Sequence, residues 1–322
     1  MAQAPDEPQM AQVAQMDESS APSATLAASP MEPRRTYASL WRARLEMMRP
    51  GNCIMAALGT LAGLAVVQQG PIPSMAWVAA PLDAFLVAGF GNVLNDLRDA
   101  ALDAKAHPAR PLPSGRIRRA DAQAWAALLL LAGLFEAWLA AGLPTLAFAL
   151  LNALLLTVYE SWLKRAGLPG NVLVALLVAS TFAFGAVAAK VPPASWGALW
   201  LLMALAFLAN VAREVLKDVE DLDADRGERT TLPLQAGPGA ARILAFALAN
   251  AAVLLSIVAF VQRPAGWWTP WLGLLAASDA AFVLAASLSW VHVGRAQRLL
   301  KLAMLLALAA FLAGPLVGRA LA

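Results

Sequence analysis

The chain has 322 residues, 60% of them hydrophobic and 14% charged, with a mean hydropathy of +0.62. Soluble domains are about half apolar and about a quarter charged, so this composition excludes an ordinary soluble protein and indicates a membrane protein. The pI near 9.3 does not indicate nucleic acid, because the 24 basic residues lie between apolar runs and form no continuous patch; Cys53, His107 and His292 are too few for a Cys/His zinc site or an internal disulfide.

Residues 1–36 are rich in Ala, Pro, Ser, Gln and Met without periodicity, which predicts a disordered cytosolic tail. They carry no basic stretch followed by an apolar one, so they do not read as a secretory signal. Residues 37–322 read as one domain. Residues 37–50 mix Arg42, Arg44 and Arg49 with Leu40, Trp41, Leu45 and Met47, the pattern of an amphipathic helix at the membrane surface. Nine apolar segments follow, each near the length a bilayer requires: 52–68, 76–96, 122–140, 145–162, 171–189, 197–216, 241–262, 271–290 and 299–319. Gly and Pro punctuate the gaps. With the N-terminus inside, 21 of the 24 basic residues fall on the inner side, and only Lys190, Arg263 and Arg319 fall outside. The positive-inside rule then predicts an all-α bundle of nine transmembrane helices with its N-terminus in the cytoplasm, in the cell membrane.

The second segment ends in an acidic face. Asp96, Asp99 and Asp103 stand at i, i+3 and i+7, with Asn92 one turn earlier, so a helix presents all of them on one side. Asp218, Asp221 and Asp225 repeat the spacing at the end of the sixth segment. Stacked like charges weaken a helix, and hard divalent cations bound through oxygen offset that repulsion. A solvated charge run is the bland alternative; the repetition and the matched depth argue against it. A faint internal repeat supports pairing of the two faces. Pro50-Gly51-Asn52 opens the first segment and Pro169-Gly170-Asn171 the fifth, as if two four-helix halves, plus a ninth helix, closed on one cavity.

Carboxylates with many bases nearby suggest a polyphosphate held through Mg²⁺, which is bound by one or two carboxylates and shares substrate phosphate oxygens. Arg110, Arg116, Lys164, Arg213 and Lys217 can take the remaining charge, and Tyr159 can add a hydroxyl donor. A diphosphate at the end of an apolar bundle implies a lipid tail inside it, and Ala- and Leu-rich walls suit an isoprenoid. Cations and metal would stabilise the leaving diphosphate as an allylic C1–O bond breaks, in a cavity that excludes water.

The run N-D-L-R-D-A-A-L-D followed by H-P-A-R-P-L-P-S-G-R-I resembles the first signature of the UbiA superfamily of intramembrane prenyltransferases. K-D-V-E-D-L-D-A-D resembles the second, and Y-E-S-W-L-K-R the family's link between helices four and five. The resemblance covers roughly residues 40–320. It implies a nine-helix bundle, Mg²⁺ and a polyprenyl diphosphate donor. It further implies that Asp96, Asp99 and Asp103 hold one metal and Asp218, Asp221 and Asp225 another, with Asn52, Asn92, Arg110, Tyr159, Lys164 and Lys217 on the diphosphate. R-P-G-N-C-I-M-A at 49–56 and T-L-P at 231–233 are most similar to geranylgeranylglyceryl-phosphate geranylgeranyltransferases, which make ether lipids. Two departures, Ala224 in place of a Gly and a loop from Asp225 to Thr231 one residue short, keep an aromatic acceptor of quinone, tocopherol or chlorophyll type as the alternative.

Other classes fit less well. A transporter would carry its ionisable residues near the midplane on broken helices, and a CDP-alcohol phosphotransferase one compact motif with glycines between the aspartates. Asp83, Glu136 and Asp279 lie within apolar segments, where a helix–helix hydrogen bond or an interfacial place competes with function; Asp83 is the best acceptor-side candidate of the three. His107 and His292 read as loop or interfacial residues. Trp267, Trp268 and Trp271 read as an outer aromatic belt, and Cys53 as packing.

Overall fold

A computed structural model describes residues 37–68, 72–227, 229–261 and 269–320; the expected tail at 1–36 and the tryptophans at 267 and 268 lie outside these. The described residues are helical, without strands. The order is α1 (Tyr37–Met48), α2 (Pro50–Val67), α3 (Ser74–Ala106), α4 (Arg119–Ala141), α5 (Leu143–Ser161), α6 (Leu168–Ala188), α7 (Gly197–Glu220), the single turn α8 (Leu222–Asp225), α9 (Leu232–Val261), α10 (Thr269–Leu288) and α11 (Val293–Ala320). Among the described residues, nine helices are long and apolar enough to cross a membrane, from α2 through α7 and α9 through α11. The protein is thus an integral, multi-pass, all-α membrane protein, and each expected segment has its helix.

Three ends differ from expectation, each for a local reason. α3 runs 33 residues, to Ala106. A bilayer needs about 20, so the excess carries the acidic face beyond the apolar layer on an unbroken helix. α9 begins at Leu232 but breaks at Gly237, φ 85°; Pro238 then restarts it, since its fixed φ suits a first helical turn and its missing N–H is not needed there. α11 begins at Val293, six residues early, because Arg295 and Arg298 read as loop by hydropathy although they are helical.

Packing between helices relies on small residues. Alanine is the commonest buried side chain, while Leu131, Phe135 and Leu154 are exposed at the surface that would meet lipid. Without a hydrophobic force between helices in lipid, close backbone approach and hydrogen bonds must hold them. α2 and α6 show this most clearly. A Cβ on Gly63 would lie 2.1 Å from the Phe182 carbonyl oxygen, and one on Gly185 2.3 Å from that of Thr60. The Thr60 hydroxyl donates to the Thr181 carbonyl at 3.1 Å in the same crossing. That contact joins the opening helix of each half, so the starts of α2 and α6 and the ends of α3, α5 and α7 share one end of the bundle.

Candidate functional site

A cavity of about 1140 Å³ runs inward from that end. Ordinary small-molecule pockets measure about 300–1,000 Å³, so this one can take more than a compact ligand. Its inner walls are apolar, with Val174, Leu177, Phe182, Leu202, Leu275 and Phe311. Polar side chains gather where α2 and α11 start and α3, α5 and α7 end.

The first acidic face is fully engaged. Arg49 caps α2 in the left-handed region, φ 51°, a conformation that non-glycine residues adopt rarely. This turn between α1 and α2 brings its guanidinium 2.5 Å from Asp96 and 3.0 Å from the Asn95 amide oxygen. The Asn92 amide holds the same turn by donating to the Met48 carbonyl at 2.7 Å. Lys164 donates to Asp99 at 2.7 Å and to Glu160 at 2.9 Å. Asn95 spans these two acids, donating to Glu160 at 3.1 Å and Asp99 at 3.2 Å. A single guanidinium nitrogen of Arg110 lies 2.7 Å from each carboxylate oxygen of Asp103, a bifurcated, charge-assisted contact.

The second face departs from the expected continuous helix. α7 stops at Glu220, and Asp221 bends the chain at φ −87°, ψ 8° before α8. Asp218, Glu220, Asp221, Asp223 and Asp225 crowd eight residues here, and like charges one turn apart weaken a helix. Asp218 accepts from the Asn171 amide at 2.7 Å. Asp221 lines the cavity and has no ion-pair partner among the described residues. Asp225 is buried, and its Oδ2 has no hydrogen-bond partner among the described residues. Burial pushes the Asp225 carboxyl above the usual carboxylate range; Arg229 opposes this, and Asp221 and Asp99 add to it.

One arginine links the faces. Arg229 lies 3.5 Å from Asp225 and 3.7 Å from Asp99. Its loop is docked on the α5–α6 connection: the Thr230 N–H donates to the Arg165 carbonyl at 3.0 Å. Gly167, at φ 69°, permits that approach, since a Cβ there would lie 2.1 Å from the Thr230 carbonyl oxygen. Lys164, Arg229 and both aspartate faces are thereby held together.

Of the residues the sequence singled out, Asn52, Asn92, Arg110, Tyr159, Lys164, Arg213, Lys217 and Asp221 line the cavity. Asp96, Asp99, Asp103, Asp218 and Asp225 stand behind it, turned to their partners. Arg116 does not reach the site; it pairs with Glu46 of α1 at 2.6 and 2.9 Å. Asp279 forms a helix–helix hydrogen bond, accepting from Ser256 at 2.6 Å, and also lines the cavity. Asp83 is buried beside Glu136 and lines the cavity, with Oδ1 lacking a hydrogen-bond partner among the described residues. His107 and His292 are exposed, as expected. Trp271 is not an interfacial belt residue: it is 1% exposed and stacks on Phe260, because α10 turns it into the core.

Sequence reasoning passed over Arg229, Asn95 and Glu160 as site members and noticed Asn171 only as part of a repeat. Spacing could have found two of them. Glu160 precedes Lys164 by four residues, and Arg229 follows Asp225 by four. Asn95 likewise precedes Asp99 by four residues, but its bond to Glu160 could not be read from spacing.

The donor set suits a hard cation: every acid offers oxygen, and Asp225 Oδ2 is a buried oxygen without a partner. Among the described residues, however, no three acids are already drawn together to hold a metal. The four cations Arg49, Arg110, Lys164 and Arg229 hold four of the six aspartates instead.

Comparison with known proteins agrees with this architecture. Residues 56–309 match the UbiA prenyltransferase family. A digeranylgeranylglyceryl phosphate synthase of Methanopyrus kandleri is 42% identical over 279 residues, 84% of this chain and 98% of the relative. A solved structure of a digeranylgeranylglyceryl phosphate synthase superposes with a TM-score of 0.67 at 30% identity, covering 86% of this chain and 99% of the other. A UbiA homologue from Archaeoglobus fulgidus, bound to GPP and Mg²⁺, shares the fold with a TM-score of 0.63 at 16% identity, covering 84% and 98%.

Proposed function

The chain belongs to the UbiA prenyltransferase family and is a prenyltransferase, and from that premise we propose that it alkylates the glycerol hydroxyl of geranylgeranylglyceryl phosphate with a polyprenyl diphosphate, forming an ether lipid. The observation that carries the acceptor is the 42% identity, across nearly all of its length, to a relative named for that product. The donor reading rests on the cavity, whose apolar interior suits a polyprenyl chain and whose polar end gathers bases beside two carboxylate clusters.

Asp96, Asp99 and Asp103, with Asp218, Asp221 and Asp225, would hold Mg²⁺. When bound, the metal supplies neutralisation of the diphosphate charge. Arg110, Lys164 and Lys217 add positive charge to the same leaving group, with Asn52, Asn92 and the Tyr159 hydroxyl as neutral partners. These groups favour the departing diphosphate over the intact ester, which lowers the barrier rather than only tightening binding. The C1–O bond breaks with its electron pair on the diphosphate. The acceptor hydroxyl oxygen then bonds to C1 and releases its proton. The apolar walls keep water from competing for the electron-poor carbon.

The site and the N-terminal end face the cytoplasm, in the cell membrane; the 21 of 24 basic residues on that side support this orientation. Purified protein, Mg²⁺ and radiolabelled geranylgeranyl diphosphate, offered geranylgeranylglyceryl phosphate, 4-hydroxybenzoate, homogentisate or a dihydroxynaphthoate in parallel, test the acceptor. Labelled product is expected with the glyceryl phosphate alone. Product with an aromatic alone would overturn the ether-lipid assignment and retain the prenyl-transfer chemistry.

A further inference from the structure

The diphosphate assignment uses cations in the connections after α3 and α5 and at the end of α7, and leaves a second set on α11. Arg298 and Lys301, one turn apart, both line the cavity, and neither has an ion-pair partner among the described residues. Arg213, Glu214, Arg49 and Lys217 act electrostatically on Lys301. The single carboxylate in that group, Glu214, is already paired with Arg213. Arg298 and Lys301 thus place two cations without ion-pair partners on this wall, with Glu220 facing it from the end of α7 and Asp221 nearby in the lining, and an unpaired cation in a low-dielectric cavity costs free energy unless an anion enters.

The wall is built to stay in place. The Gln297 amide donates to the Glu220 carboxylate of α7. Gly294 packs against the same carboxylate, where a Cβ would lie 2.6 Å from Oε1. These contacts fix the first turns of α11 against the end of α7, so Arg298 and Lys301 project from an anchored helix. The two predicted substrates carry two separate anionic groups, a diphosphate and a phosphate monoester. The motif-side bases have the first.

We propose that Arg298 and Lys301 of α11, with Arg213 of α7 beside them, form a second anion subsite that binds the phosphate monoester of the lipid acceptor. The assignment rests on the glyceryl-phosphate acceptor proposed above and extends it to residues outside both aspartate clusters. The chemistry is directional: a fork-shaped guanidinium and a compact ammonium together satisfy a phosphate dianion, whereas an aromatic carboxylate would use only part of the subsite.

The test uses the full-length chain in lipid nanodiscs as wild type, Arg298→Gln, Lys301→Gln, the double variant and Lys301→Arg. Binding of geranylgeranylglyceryl phosphate and of its dephosphorylated alcohol is measured without donor, and the KM of each substrate in turnover. Losing charged hydrogen bonds should weaken binding of the phosphorylated lipid at least about tenfold in the double variant. Binding of the alcohol and the KM for the diphosphate donor should change less than about twofold, and Lys301→Arg should retain most of the affinity. Unchanged binding of the phosphorylated lipid would overturn the proposal. So would an equal rise in donor KM, which would return these residues to the diphosphate, or a wild type that does not distinguish phosphorylated from dephosphorylated lipid. If the wild type turns over an aromatic acceptor and not the glyceryl phosphate, the acceptor assignment fails on its own. The donor-free binding arm still decides the subsite, through phosphate-dependent binding that the double variant either loses or keeps.

Discussion

Asp96, Asp99 and Asp103 rise on one unbroken helix, and each meets a basic side chain, from Arg49, Lys164 and Arg110 in turn. Asp218, Asp221 and Asp225 repeat the spacing across a break. Asp218 has only the Asn171 amide, Asp221 opens into the cavity, and Asp225 shares Arg229 with Asp99. The same interval written twice therefore gives one charge-compensated cluster and one with oxygens to spare. Spacing decides where acids can stand; side chains from other helices decide how much of their charge is already answered. On the proposed reading, an incoming cation would meet available carboxylate oxygens on the second cluster and would have to exchange against ion pairs on the first.

The most damaging changes should be those to acids proposed to hold the metal. Asp221→Ala and Asp99→Ala are each expected to lower kcat/KM by about 10²–10³-fold, the scale set by removing one group that stabilises developing charge. Steady-state prenyl transfer at saturating Mg²⁺ measures this, with monodisperse elution as the check on folding. Near-wild-type activity in either variant would break the assignment of that cluster.

The compensating partners should matter less, and unequally. Lys164→Gln removes the ammonium between Asp99 and Glu160 and leaves them the Asn95 amide and, for Asp99, the more distant Arg229, with an expected loss in donor affinity of about ten- to hundredfold. Asn171→Ala removes a neutral amide and should cost about tenfold or less. Diphosphate binding to the two variants sharpens the contrast, and a larger loss for Asn171→Ala would reverse it.

Far from the cavity the effect should be smallest. Glu46 and Arg116 form a pair with side chains 44% and 36% exposed, so Glu46→Gln should cost about 1 kcal/mol or less. The hydrogen bond from Arg116 holds the Glu46 carboxyl below its ordinary value. A depressed acid stabilises the fold above its unfolded-chain pKa, about 4.3, and loses that contribution as pH falls through the folded value. Thermal midpoints of wild type and Glu46→Gln should thus differ slightly at pH 7 and converge on acidification. A difference that widened in acid would assign the stabilisation elsewhere.

Much of the site was legible because its signals are local. Nine apolar lengths, the inward bias of Arg and Lys, and two aspartate intervals can each be read within one helix's span of residues. Pro-Gly-Asn at 50–52 and 169–171 even marked Asn171, although its bond to Asp218 could not be read from the repeat. Arg116 was misplaced because proximity in sequence to an acidic window does not set direction; α1 folds back to take it through Glu46. The start of α11 was read late because Arg295 and Arg298 lower the hydropathy of its first turns, although Arg298 lines the cavity.

The sequence by itself determined the membrane class, the number of spans and the two acidic intervals, because hydropathy and helical period depend on neighbours along the chain. The tertiary structure alone decided that Arg229 bridges the clusters, that Asp221 turns into the cavity while Asp99 meets Lys164, and that Arg298 and Lys301 share a wall with Arg213. Those relations arise where α2, α3, α5, α7 and α11 end or begin side by side, at glycine-permitted approaches such as Gly63 on Phe182 and Gly167 on Thr230. Contacts between residues tens to hundreds of positions apart are set by packing, which a one-dimensional pattern does not encode.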